Sequence, residues 1–187
     1  MLIPLRLSAQ SDEQLMLRAA RGSDRAFEEL YNRHARRLQG FFARRLGEDN
    51  DLAADFMHDT FLRLYAARES FREGKSFRAW LYTIAYNLCK NHLRNRLTMV
   101  HNKDEEVVDT TNIEVEIDAS ILHDALSQIL RNLPEEYAML FSLHYEEELS
   151  VPQVAQITSL PEGTVKSRLH KTMTLIKQKL KQYENRG

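Results

Sequence analysis

Cysteine is almost missing: Cys89 stands alone in 187 residues, so no disulfide can close within the chain, and a reducing compartment is the expected setting. With one Cys and His residues scattered without ligand spacing, no metal site is expected. Proline and glycine are scarce, at 4 and 6, which leaves long uninterrupted periodic segments and favours helices nearly throughout. No apolar run approaches the ~20 residues needed to cross a bilayer, so no direct membrane insertion is expected. The opening MLIPLRLSAQSDEQ has no basic flank ahead of a long apolar core and does not read as a signal peptide; the expected location is cytoplasmic. Nucleophile elbow, P-loop, Gly-rich fingerprint and metal cluster are all lacking, so neither catalytic residues nor a cofactor are expected.

Net charge is nearly absent too, at −1, but the balance hides a segregation. Residues 1–97 carry 17 Lys/Arg against 12 Asp/Glu, and residues 161–187 carry 7 against 2. Between them, residues 98–118 hold one Lys against 7 acids, and residues 119–160 one Arg against 6. Alternating blocks suggest separate surfaces for separate partners, although any single block also fits an ordinary solvated face.

Helical spacing and breakers place a first helix from Asp12 to about Arg21, ending at Gly22. A second starts after the capping candidates Ser23 and Asp24, with Phe27, Leu30, Tyr31, Leu38, Phe41, Phe42 and Leu46 as its buried stripe. A third, capped by Asp49 or Asp51, runs to about Ala66. Arg68–Ser76 reads as a loop, and a fourth helix covers Phe77 to about Leu97. Residues 98–118 lose the helical period and read as an acidic linker. Periodicity returns at Ile121, Leu122, Leu126, Ile129 and Leu130 and stops at Leu133-Pro134. A helix over Glu135–Glu146 follows, then Val151–Ile157 and Glu162 to about Lys181. The expected fold is all-α: two small helical domains, 12–97 and 119–182, joined by the linker.

The last two helices, separated by Thr158-Ser159-Leu160-Pro161, fit a helix-turn-helix. Val165, Leu169, Met173, Ile176 and Leu180 form the inner stripe, which leaves Lys166, Ser167, His170 and Lys171 largely on the other side. Thr164, near the helix N-terminus, can donate to a phosphate, and Lys166 and Arg168 suit base or phosphate contacts. Glu146-Glu147-Glu148, just upstream, is expected to point to solvent or to a basic protein. The runs Leu133-Pro134-Glu135-Glu136, Leu149-Ser150-Val151-Pro152-Gln153-Val154-Ala155 and Glu162-Gly163-Thr164-Val165-Lys166-Ser167-Arg168-Leu169 resemble region 4 of the extracytoplasmic-function (ECF) sigma factors of bacterial RNA polymerase. The resemblance implies −35 promoter reading by the second helix, over Gly163–Lys171. The sequence departs from the family at Tyr137 and Ala138, where a basic residue is common, at Gln153-Val154-Ala155, and at Ser159, often a glycine.

In the first half, Asp51 to Tyr65 resembles sigma region 2.2, which docks on a coiled coil of the polymerase β′ subunit. Asp55, His58 and Asp59 share a helix face there, and carboxylates so placed can pair with arginines across an interface. His58 stands where the family commonly has Gln. The same spacing would suit a metal or an acid/base pair, but no further ligand converges on it. Ser70 to Ala85 resembles regions 2.3 and 2.4, which capture the melted −10 strand by stacking and phosphate contacts. Trp80, Ile84 and Leu88 recur every four residues, a core stripe, while Tyr82 and Tyr86 are less constrained. Asn87, Lys90, Asn91 and Arg94 share a polar face suited to nucleic acid.

The resemblance implies a non-enzymatic promoter-reading subunit whose partners are core polymerase (β and β′), promoter DNA and an anti-sigma factor that can hold it at the membrane when it is not in the nucleoid. The acids Asp104, Glu105, Glu106, Asp109, Glu114, Glu116 and Asp118 would either mimic phosphates in the polymerase cleft or simply keep a tether soluble. A stand-alone helix-turn-helix regulator, binding duplex DNA without polymerase, is the alternative.

Overall fold

The structure, a computed structural model, describes residues 7–47, 49–100, 126 and 128–184. Among them every regular element is helical, and they fall into two units.

The N-terminal unit contains α1 (Asp12–Ala20), α2 (Asp24–Arg45), α3 (Asn50–Ala66) and α4 (Phe77–Val100), with short 3-10 turns at Leu7–Ala9 and Arg68–Ser70. Local chemistry starts these helices. Ser11 Oγ accepts from the Gln14 backbone N–H at 3.2 Å while Gln14 Oε1 accepts from that of Ser11 at 3.1 Å, a reciprocal cap on α1. Asp49, rather than Asp51, caps α3, its Oδ1 accepting from Leu52 N at 3.0 Å. Leu15 and Met16 of α1, Leu30, Leu38, Phe41 and Phe42 of α2, Phe61 and Leu64 of α3, and Phe77, Leu81 and Tyr82 of α4 are buried. Side chains of this size contribute about 1.5–3 kcal/mol each when fully buried.

One cation ties the lead-in of α1 to α2. Arg33 donates from Nε to Glu29 Oε1 (2.9 Å), from Nη1 to the Gln10 carbonyl (2.9 Å) and Asp12 Oδ1 (3.0 Å), and from Nη2 to the carbonyls of Leu7 (3.2 Å) and Ser8 (3.1 Å). His34 Nε2 lies 2.6 Å from Asp12 Oδ2. That contact, then Arg33, holds the Asp12 carboxyl below the usual carboxylate range against the opposing effect of burial.

In the C-terminal unit, residues 128–131 are helical and Pro134 begins the next segment. α5 (Glu135–Phe141) widens into a π turn over Ser142–Glu146, where the Glu147 N–H reaches the Ser142 carbonyl at 2.9 Å. α6 (Val151–Thr158), capped reciprocally by Ser150 and Gln153, and α7 (Glu162–Glu184) complete it. Ile129, Leu130, Leu133, Ala138, Phe141 and Ile176 form a buried cluster.

Three expectations are revised. The fourth helix does not stop near Leu97 but continues to Val100. The helix expected over Glu135–Glu146 is α only as far as Phe141. Of the triplet Glu146-Glu147-Glu148 only Glu148 faces solvent as expected: Glu146 accepts from Ser142 Oγ, and Glu147 is fully buried. The wider π turn and a left-handed Glu148 (φ 54°) redirect the chain there. Residues 101–118 of the linker, with all seven of its acids, and Ile121 and Leu122 lie outside the described residues.

Candidate functional site

α4 is packed on one side and open on the other, which decides what it can bind. Phe77, Leu81, Tyr82, Ala85, Leu88 and Cys89 are buried. At 100° per residue these positions span one side of the helix. Opposite them, Asn87, Lys90, Asn91 and Arg94 are exposed, the face expected from their spacing. Lys90 Nζ sits 5.8 Å from the centre of the half-buried Tyr86 ring.

The aromatic assignments on this helix are revised at Tyr82. Tyr82, expected at the DNA surface, is 1% exposed and packs edge-on against Phe41 at 5.5 Å, so it is a core residue. Trp80 is half-buried and lies seven and eleven residues before Asn87 and Asn91, on the same outward face. Its indole stacks on the buried Phe71 ring at 5.5 Å and 22°. Phe71 thereby anchors the base of an exposed crest, Arg72-Glu73-Gly74-Lys75, whose turn requires the positive φ of Gly74 (78°). The open side of α4 offers an indole, two amides and the cations Lys90 and Arg94, and the exposed crest adds Arg72 and Lys75.

α3 presents a second surface. Asp55 and His58 are exposed and Asp59 is partly so. Asp59 Oδ1 accepts from Arg63 Nε at 3.0 Å, so this carboxylate is already shared within the helix, which raises the Arg63 pKa. Asp55 makes no such pair among the described residues. His58 Nε2 is 3.2 Å from Tyr31 Oη, with the two rings nearly parallel. Sequence reasoning missed the neighbour of these residues: Leu62 is 68% exposed and lies opposite the buried stripe of α3. With Phe27, Tyr31, His58, Phe61 and Tyr65 it lines a shallow apolar depression between α2 and α3. Tyr65 Oη donates to Asp24 Oδ1 at 2.9 Å, which keeps the phenol protonated to higher pH. A large apolar side chain one position out of phase with Phe61 and Leu64 was the available signal.

On α7, Gly163, Lys166, Ser167, His170 and Lys171 are exposed and Thr164 is half-buried, whereas Val165, Leu169, Thr172 and Ile176 face inward. Met173 packs half-buried against the core cluster as expected, and Thr172 joins the inward side, its hydroxyl donating to the Arg168 carbonyl at 2.8 Å. Arg168 is the exception among the expected DNA contacts. Its Nη1 donates to Glu136 Oε2 at 2.7 Å, so the side chain braces α7 against α5. Lys171 Nζ lies 5.4 Å from the Tyr137 ring centre. Ser159 closes α6 in the left-handed region (φ 57°), the geometry that makes glycine common there.

Comparison with known proteins accounts for both units. Residues 30–97 match the family model for sigma-70 region 2, and residues 123–176 that for sigma-70 region 4. The ECF RNA polymerase sigma-E factor of Haemophilus influenzae is 30% identical over 182 residues, covering 91% of this chain and 95% of its own. Among solved structures, CnrH in complex with the cytosolic domain of CnrY aligns with a TM-score of 0.68 at 23% identity, covering 92% of this chain and 98% of that one. The sigma factor RpoE of Bartonella quintana, solved with the anti-sigma factor NepR, gives 0.67 at 24%, covering 83% and 96%. Both share the fold.

Proposed function

The chain belongs to the ECF sigma factors of RNA polymerase, and on that premise we propose how its surfaces divide the work of promoter-specific initiation. The outward face of α4 and the crest Arg72–Lys75 capture the non-template strand of the −10 element. The single observation that carries this reading is the alignment of Trp80, Asn87, Asn91 and Arg94 on one open side of a helix whose other side is core. Melting exposes base faces, and each base stacked on an aromatic is worth about 1–3 kcal/mol, with cations holding the backbone. Strand separation is then driven by binding energy, and no step of bond-making chemistry falls to this chain.

The α3 surface docks on the β′ coiled coil. Leu62 supplies an apolar knob, and Asp55, with Asp59 and His58 beside it, supplies the charge that arginines would meet. The exposed face of α7, from Gly163 to Lys171, enters the −35 major groove, with the C-terminal unit held on the β flap. Arg168 acts there as a brace rather than a base contact. The region models match residues 30–97 and 123–176, which lie inside the proposed domain limits 12–97 and 119–182.

CnrH and RpoE were each solved with a partner, the latter's an anti-sigma factor, which supports an anti-sigma factor for this chain as well. No helix among the described residues is long and apolar enough to cross a membrane. The proposed location is cytoplasmic, at the nucleoid within holoenzyme or at the membrane when an anti-sigma factor there holds it. A stand-alone regulator is disfavoured, because the sigma-E relative aligns over both halves of the chain.

Transcription by bacterial core polymerase from an AT-rich promoter library, with and without the protein, tests the proposal. Starts that require the protein and share two spaced elements are expected. Core polymerase left unbound and unredirected, with the protein alone shifting duplex DNA, would refute it.

A further inference from the structure

The strand-reading surface begins at the N-terminus of α4, and that terminus is not capped from within its own segment alone. Ser76 Oγ accepts from the Ala79 N–H at 3.2 Å, the ordinary local cap. The Phe77 N–H, however, donates to Glu13 Oε1 at 3.2 Å, a carboxylate delivered by α1 from 64 residues upstream. A carboxylate suits this place, since the first N–H groups of a helix are unpaired and the helix dipole favours negative charge there.

Glu13 sits on a firmly held support. Leu15, Met16 and Ala19 of α1 are buried, and Arg33 fastens the segment just before Glu13 to α2. Phe77 in turn lies between the two parts of the reading surface: the crest Arg72–Lys75 ends two residues before it, and Trp80 follows three residues after it. A shift of the Phe77 amide therefore moves both. The same carboxylate also occupies an N-terminus that would otherwise accept a phosphate of any sequence.

We propose that Glu13 is a positioning residue for −10 strand recognition: from α1 it caps α4, fixes the crest and Trp80 relative to each other, and keeps unspecific phosphate off that helix end. The inference rests on the strand-capture reading given above.

The test uses holoenzyme assembled from full-length protein and core polymerase. The probes are a labelled non-template oligonucleotide bearing the −10 element returned by the promoter library and a scrambled strand of equal length. Glu13→Ala is expected to lower discrimination between the two strands by about tenfold, the scale of one charge-assisted hydrogen bond. Glu13→Gln, whose amide oxygen still accepts from Phe77 but carries no charge, should recover part of it, and both variants should bind core polymerase as the unaltered protein does. Unchanged discrimination by Glu13→Ala would overturn the proposal. So would a matching loss of core binding, which marks a merely structural role, or a Gln variant as defective as Ala. An unaltered protein that assembles with core polymerase yet retains neither strand would instead remove the strand-capture reading itself, and this inference with it.

Discussion

Replacing Arg33 by Ala should release the start of the chain without unfolding the unit it belongs to. Its guanidinium makes five hydrogen bonds, three of them to the carbonyls of Leu7, Ser8 and Gln10, and its side chain is 26% exposed. The carbonyl bonds are worth about 0.5–1 kcal/mol each at such a site. The Asp12 pair adds up to about 1 kcal/mol, and the Glu29 pair, one helical turn away, about 0.3–0.5 kcal/mol. Water replaces part of this once the cation is gone, leaving a net loss of about 2 kcal/mol. The burial of Leu15, Met16 and Ala19 persists, so the loss falls on the lead-in and first turn of α1. Amide hydrogen exchange reads it directly: Gln10, Ser11, Gln14 and Leu15 donate hydrogen bonds there, and their protection should fall roughly 30-fold. Amides in the middle of α2 should hardly change. Arg33→Lys should rescue little, because an ammonium cannot span five acceptors. Protection of these amides within threefold of the unaltered protein would refute the reasoning, as would a uniform loss across the unit.

Asp12 adds a pH dependence to the same latch. Its folded-state pKa is lowered, so its contribution is complete above the unfolded carboxylate value of ~3.9 and disappears as pH falls through the folded value. An acid titration followed by circular dichroism should accordingly show less loss of stability below about pH 4 in Asp12→Asn than in the unaltered protein. Ser159→Gly should stabilise the C-terminal unit by about 0.5–1 kcal/mol in thermal melts, since glycine takes the left-handed cap without the strain a side chain suffers. Leu62→Asp should weaken binding to core polymerase by at least about tenfold in a titration while leaving the melting temperature nearly unchanged, because the side chain is 68% exposed. Trp80→Ala should cost about 1–3 kcal/mol in retention of the −10 strand, read as oligonucleotide affinity of the holoenzyme.

The start of α3 was legible because its cap is local: Asp49, one of two candidates, accepts from the Leu52 N–H. Ser23, the candidate for α2, stands at the N-cap without a side-chain bond, and the reciprocal caps of Ser11 with Gln14 and Ser150 with Gln153 went unread. The phase of α4 was harder to read. Trp80, Leu81, Tyr82, Ile84 and Ala85 are all apolar, so periodicity admits more than one inner face, and choosing the Trp80–Ile84–Leu88 stripe left Tyr82 outside the core. Packing against Phe41 resolves the phase, and that contact joins distant parts of the chain. Arg168 with Glu136 and Glu13 with Phe77 were invisible for the same reason, being pairs 32 and 64 residues apart with no local signature.

The division of α4 into a packed side and an open one bears on how promoter preference diverges within such a lineage. Asn87, Lys90 and Asn91 are exposed, and substitutions at surface positions of this kind usually change stability by about 0.5 kcal/mol or less. On the proposed strand-capture reading, several of the residues that would meet bases are therefore among those least constrained by folding. A duplicated copy of this chain can drift toward new target sequences at these positions while Tyr82, Leu81 and Phe77 keep the helix seated. On that reading readout is evolvable because recognition and architecture share a helix while sharing few residues, Trp80 with its stack on Phe71 being the exception.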